Sequence, residues 1–120
     1  MNKVNNGLLD QSHGEVLHES NINFNAPHHY KIISVDEENK GAVLGEIHFQ
    51  EGPIKKYGIN GVTNEQLLAI VIDRLEHFQR SPYSSRDNAI TITHVENALL
   101  RLKKRTIERE SRGVEGTDKI

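Results

Sequence analysis

The strongest pattern in the chain lies in its second half. From Leu67 to Phe78 it reads "LLAIVIDRLEHF", and Leu67, Leu68, Ile70, Val71, Ile72 and Leu75 spread over most of a helical circumference. A hairpin partner covers one stripe only, so apolar residues on nearly all sides predict burial on more than one side and hence a subunit interface. The β-branched run Ile70-Val71-Ile72 keeps a strand open as the alternative. Thr63 and Gln66 stand at capping-box spacing, with Asn64 as a competing cap, and the helix is expected over 64–79.

After a loop around Pro82, Ser84 or Ser85 can cap a second helix, with Asp87 in its first turn. Ile92, Val95, Leu99, Leu102 and Thr106 recur at alternating spacings of three and four, a seam suited to antiparallel packing on the first helix. "AITIT" (89–93) alternates as a strand would, but the seam runs on through "HVENALLRLKKRTIERE", so a helix of about 25 residues, nearly 40 Å long, is expected over 85–111. Gly113 stops it.

Upstream, "YKIISV" (30–35) and "GAVLGEIHF" (41–49) are apolar and β-branched, and "DEENKG" between them has turn chemistry. They predict a β-hairpin, which needs something to pack on. Residues 1–26 are polar, rich in Asn and without period: a flexible or draped arm with room for one short strand. The fold expected is α+β, with a small antiparallel β-hairpin region (30–50) packed with a long antiparallel helical hairpin. Residues 27–120 then form a single domain that is oligomeric.

Composition sharpens this picture. Apolar residues make up 35% of 120 positions, enough for a modest core that a partner subunit would complete. There is no cysteine, so thiol and disulfide chemistry are excluded and a reducing cytoplasm fits. No run of about 18 apolar residues exists and the first residues lack the apolar core of a signal peptide, which predicts a soluble protein without a membrane partner. Net charge is −2. Residues 1–100 carry 8 basic and 13 acidic groups, while "RLKKRTIERESR" (101–112) carries 6 and 2. The balance argues against general coating of nucleic acid and for one anionic partner at one place. A solvated helix end complementing the dipole is the plainer reading.

Seven histidines raise the question of a metal. His28 and His29 would point apart on an extended chain, and His77 and His94 lie on different helices. No HxxxH or HExxH spacing occurs, so no metal is expected. Nucleophile elbow, Walker loop and GxGxxG are all missing. "GINGVT" precedes a helix N-terminus, where backbone N–H groups can hold an anion, but it lacks the Lys-Ser/Thr of a phosphate loop. No catalyst and no cofactor are expected. Arg101, Arg105 and Arg109 follow at one-turn intervals and share a stripe, suited to a diphosphate or to pairing with nearby acids. Taken alone, Phe78 reads more readily as a core residue than as a stacking platform, and Asn88 as a capping or first-turn residue.

The segments "EGPIKKYGINGVTNEQLLAIVIDRL", "SRDNAI" and "RTIERESRGVEGTDK" resemble the helical-hairpin family of phage anti-defence sponges. The resemblance covers about sixty per cent of the chain, from Ile47 to Lys119. The preceding strands are similar to the Thoeris anti-defence type 1 branch, whereas the anti-CBASS protein 2 branch is essentially the hairpin alone. Residues 1–26 carry no part of the likeness. The resemblance implies a non-enzymatic sponge that sequesters cyclic ADP-ribose isomers, assembles as dimers up to hexamers, and in some members holds cyclic tri- or dinucleotides at a second site. It implies Phe78 as an aromatic stacking on the ligand, Asn88 as a polar contact ten residues later, and Arg105 and Arg109 as phosphate contacts. The second site would draw on Gly61, Thr63, Arg112, Gly116 and Thr117. A helical hairpin binding nucleic acid through its basic end, and an enzyme degrading the same signals, are the competing classes.

Overall fold

The computed structural model describes residues 1–120, in two compact units, Met1–Val62 and Thr63–Ile120. Each is described by itself.

The first unit is an antiparallel meander of four strands in the order β1 (Asn2–Lys3), β2 (Gly14–His18), β3 (His29–Ser34) and β4 (Val43–His48). The expected hairpin is the β3–β4 pair, with Tyr30 opposite Ile47 and Lys31 opposite Glu46. An irregularity between Ile32 and Ile33 shifts the register, as a bulge does when one strand carries an extra residue. The buried Ser34 hydroxyl closes the intervening turn by donating to Asn39 Oδ1 at 2.8 Å.

The sheet is wider than the sequence suggested. Residues read as an arm supply β1 and β2, and β2 pairs along its whole length with β3. What holds them is mainly backbone: Val4 N donates to Val16 O at 2.8 Å. The Gln11 amide spans the same two residues, donating to Val4 O at 3.2 Å and accepting from Val16 N at 3.0 Å. Pairing of this kind imposes no side-chain period.

Beyond β4 the chain makes a one-turn helix, α1 (Ile54–Tyr57), inside a loop closed by two amides. Gln50 Nε2 donates to Gly58 O at 2.8 Å, and its Oε1 accepts from Asn60 N at 3.0 Å. Asn60 in turn accepts from Glu51 N at 2.7 Å and donates to Glu51 O at 2.8 Å. Gly61 is forced here: a Cβ would stand 2.4 Å from the Phe49 carbonyl carbon and 2.6 Å from the His48 oxygen.

The second unit is a helix pair. In α2 (Asn64–Gln79) Thr63 takes the cap over Asn64, and both halves of the capping box form. In α3 (Arg86–Ser111) Ser85 is the cap, accepting from Asn88 N at 3.0 Å. "AITIT" is helical, and Thr91 and Thr93 turn their hydroxyls back onto the Asp87 and Ala89 carbonyls. That bond satisfies the polar atom that made the segment read as a strand. Gly113, at φ +72°, follows the last turn.

Leu67, Leu68, Ile72 and Leu75 of α2 are half-buried, as are Ile92, Val95, Leu99, Leu102 and Thr106 of α3. Ile70 and Leu100 stay 62% and 65% exposed, and no apolar residue of the chain is fully buried. No helix is long and apolar enough to cross a membrane.

Candidate functional site

The hairpin tip, residues 80–85, is held chiefly by the Gln79 side chain. Gln79 Nε2 donates to Ser85 O and Gln79 Oε1 accepts from Ser85 N, both at 2.9 Å. This amide clamps the end of α2 to the cap of α3. The spacing of Phe78 from Asn88 is therefore fixed by Gln79, a residue the sequence reading passed over. Ser81 adds a second tie by donating to Phe78 O at 2.6 Å. The Phe78 ring is 39% exposed, with the Arg74 guanidinium 5.3 Å from its centroid. Such a ring is no core residue; it offers a π face and a neighbouring cation. Asn88 uses its backbone N–H on the cap, and no bond within the chain occupies its side-chain amide.

The basic end of α3 is less uniform than its sequence. Arg105 is exposed and forms no ion pair. Arg109 is 8% exposed, and its guanidinium is turned onto the tail. Nε meets Glu115 Oε2 at 3.1 Å, Nη2 reaches Val114 O at 3.0 Å and Thr117 O at 3.3 Å, and Nη1 reaches Ile120 O at 3.4 Å. Arg109 thus anchors the segment that follows the helix. Arg112 pairs with Glu108 and donates to Ile120 O at 3.0 Å. Gly116 lies in this anchored tail at φ +76°, and the Thr117 hydroxyl donates to Val114 O. Of the remaining residues expected at a second site, Gly61 belongs to the first unit and Thr63 caps α2.

Asn88 and Arg105 are seventeen residues apart on one straight element, about 26 Å along its axis. No ligand the size of ADP-ribose spans that distance, so one chain does not bring Phe78 and Asn88 to Arg105. An open groove of about 830 Å³ does lie along the helix pair, lined by Ala69, Ile72, Leu99 and Leu100. Glu65, Asp73, Glu76 and Glu96 rim it against Lys103 alone. Its charge opposes a diphosphate, and its lining suits an apolar contact.

In the sheet unit, pairing accomplishes what no linear spacing could. His29 and His48, nineteen residues apart in sequence, are direct cross-strand partners, and Glu51 joins them. The linear motifs that argued against a metal had no access to that register.

A family model described as the Acb2/Tad1 hairpin domain matches residues 42–106. That span contains Gly61, Thr63, Phe78, Asn88 and Arg105, while Arg109, Arg112, Gly116 and Thr117 fall beyond it. Over nearly the full length, the chain is 42% identical to "Thoeris anti-defense 1" of Bacillus phage SBSphiJ7, with 98% of each protein covered. A family model matching over half of the chain and a full-length relative agree, and the chain belongs to the Acb2/Tad1 hairpin family.

Proposed function

We propose that this protein counters Thoeris defence inside the infected cell by binding cyclic ADP-ribose-type signals, the glycocyclic isomers, and sequestering them without cleavage. The observation that carries this reading is the full-length likeness to a protein named for Thoeris anti-defence. The tip chemistry supports it. Phe78 supplies an exposed stacking face and Asn88 an unpaired amide that can read an adenine edge or a ribose hydroxyl. Arg105, free of acidic partners, is the phosphate contact.

Because about 26 Å separates the tip from Arg105 along α3, the pocket is completed between chains. In an antiparallel pair of hairpins, the tip of one copy meets the basic end of the other. The exposed apolar residues of α2 and α3 favour such a homo-oligomer, from dimer to hexamer. Arg109 acts by positioning: it holds the tail that carries Gly116 and Thr117. That tail, with Arg112 and with Thr63 of the same unit, forms the second site, for cyclic tri- or dinucleotides. To compete at low signal concentration a sponge needs roughly nanomolar binding, about 12 kcal/mol. A ligand of this size reaches that only when mostly buried in a preformed pocket.

The test is a release experiment. Purified protein is mixed with a glycocyclic ADP-ribose isomer, freed of unbound ligand and heat-denatured, and the supernatant is analysed by chromatography. Intact ligand in stoichiometric amount is expected. A converted product would make the protein an enzyme, and no retained ligand would refute the reading.

A further inference from the structure

We infer that the sheet unit carries a binding site for a divalent first-row transition ion of the zinc class, with His29, His48 and Glu51 as protein ligands. This goes beyond nucleotide sequestration and involves none of the residues proposed for it.

The three side chains start from backbone that is already fixed. His29 opens β3 and His48 closes β4, and the two are Cα partners across the ladder. Their rings stand 3.9 Å apart between centroids. Adjoining hydrogen bonds pin this end of the sheet: Phe49 N donates to His28 O at 2.7 Å, and Val62 N to His48 O at 2.8 Å. Glu51 is held on both sides of its backbone by the Asn60 amide. One donor atom from each of the three residues lies within 4.8 Å of the others. Donors bound tetrahedrally at zinc distances stand about 3.3 Å apart. The remaining ångström or so is within reach of χ rotation, since the His29 and His48 side chains are 46% and 43% exposed.

Glu19 supplies the outer shell. Its Oε2 accepts from His28 N at 2.7 Å and His29 N at 2.9 Å, and it lies 3.4 Å from His29 Nδ1. A carboxylate on one ring nitrogen fixes the tautomer and leaves the other nitrogen with its lone pair free for a metal. His48 Nε2 already lies 3.7 Å from Glu51 Oε2. Two imidazoles and one carboxylate suit zinc and its neighbours and disfavour magnesium or calcium, which take oxygen ligands. Three protein ligands leave a coordination position for water. The ion would tie the end of the β3–β4 ladder to the Asn60-closed loop.

The test titrates metal-free, full-length protein with zinc chloride by calorimetry, with magnesium chloride as the hard-ion control. Saturable binding of one zinc per chain is expected, with no magnesium heat. His48→Ala should weaken binding at least tenfold, and so should Glu51→Gln, which leaves both rings in place if the first variant misfolds. His94→Ala on α3 should bind as the parent does. Cobalt binding should give visible absorption bands of a four-coordinate site, lost in Glu51→Gln. Absence of saturable zinc binding would overturn the site. So would unchanged affinity in the folded variants, or half an ion per chain, which would place the ion between copies.

Discussion

At the residue scale, side chains of one type divide into separate jobs. Arg105 and Arg109 follow one turn apart in the sequence, yet one faces solvent and the other is folded under the tail. Their substitutions should therefore diverge. Arg105→Ala should leave the melting temperature unchanged and weaken ligand binding more at low salt than at high salt. Arg109→Ala removes four bonds to the tail and should cost about 2 kcal/mol. Hydrogen exchange should show it as faster exchange at Val114 and Thr117; equal protection would remove the anchoring role. Phe78 and Asn88 carry the other half of the proposed pocket. Phe78→Ala combined with Asn88→Ala should abolish retention of a glycocyclic ADP-ribose isomer without changing the circular dichroism. Normal retention would move the site elsewhere. Sequence showed these four residues as candidates but could not rank the arginines. Periodicity gives the side a residue occupies, not what its guanidinium turns to meet.

At the element scale, the helices were legible because each signal is local. Thr63 with Gln66, Ser85 ahead of Asp87, and Gly113 after the last turn mark ends that the backbone keeps. The sheet was half legible. β3 and β4 carry apolar, β-branched side chains, whereas β1 and β2 join through backbone bonds and the Gln11 amide. A glutamine bridging two strands leaves no mark in a hydropathy pattern, and Gln79 went unnoticed for the same reason. Ser85→Ala should destabilise the helix pair by about 1 kcal/mol through loss of the cap. Gln79→Ala should affect overall stability less but slacken the tip. Binding assays should then find a larger loss of affinity in Gln79→Ala than in Ser85→Ala. The reverse order would mean that the tip need not be rigid.

At the scale of the whole molecule, the chain is short of interior. The buried residues are His28, Ser34 and Arg109, all polar or charged, and Ile70, Val71, Leu100 and Ile107 stand at the surface. Apolar residues around most of α2 predict an interface; in one chain Ile70 and Val71 stand exposed, while Leu67, Leu68, Ile72 and Leu75 are half-buried. Leu100→Glu places a charge on that surface beside an already acidic groove. Light scattering should report a smaller assembly for this variant, with a melting temperature that no longer rises with concentration. An unchanged assembly would mean that α3 packs on another copy through a different face. The metal cluster is the part least accessible to sequence, because His29, His48 and Glu51 meet only once the strand register is set.

The Asn60 amide that closes the loop has a consequence over the lifetime of the protein. Asn60 precedes Gly61, and an asparagine followed by glycine ages chemically when the glycine nitrogen can swing onto the side-chain carbonyl carbon. Here that carbonyl is engaged by Glu51 N and the amide nitrogen by Glu51 O, while Gly61 is pressed against Phe49. The folded protein should thus resist a conversion that the unfolded chain undergoes readily. Once it occurs, the change would not reverse: an acid in place of the amide cannot donate to Glu51 O. Mass spectrometry of the peptide containing Asn60, after mildly alkaline storage with and without denaturant, would show aspartate accumulating only in the denatured sample.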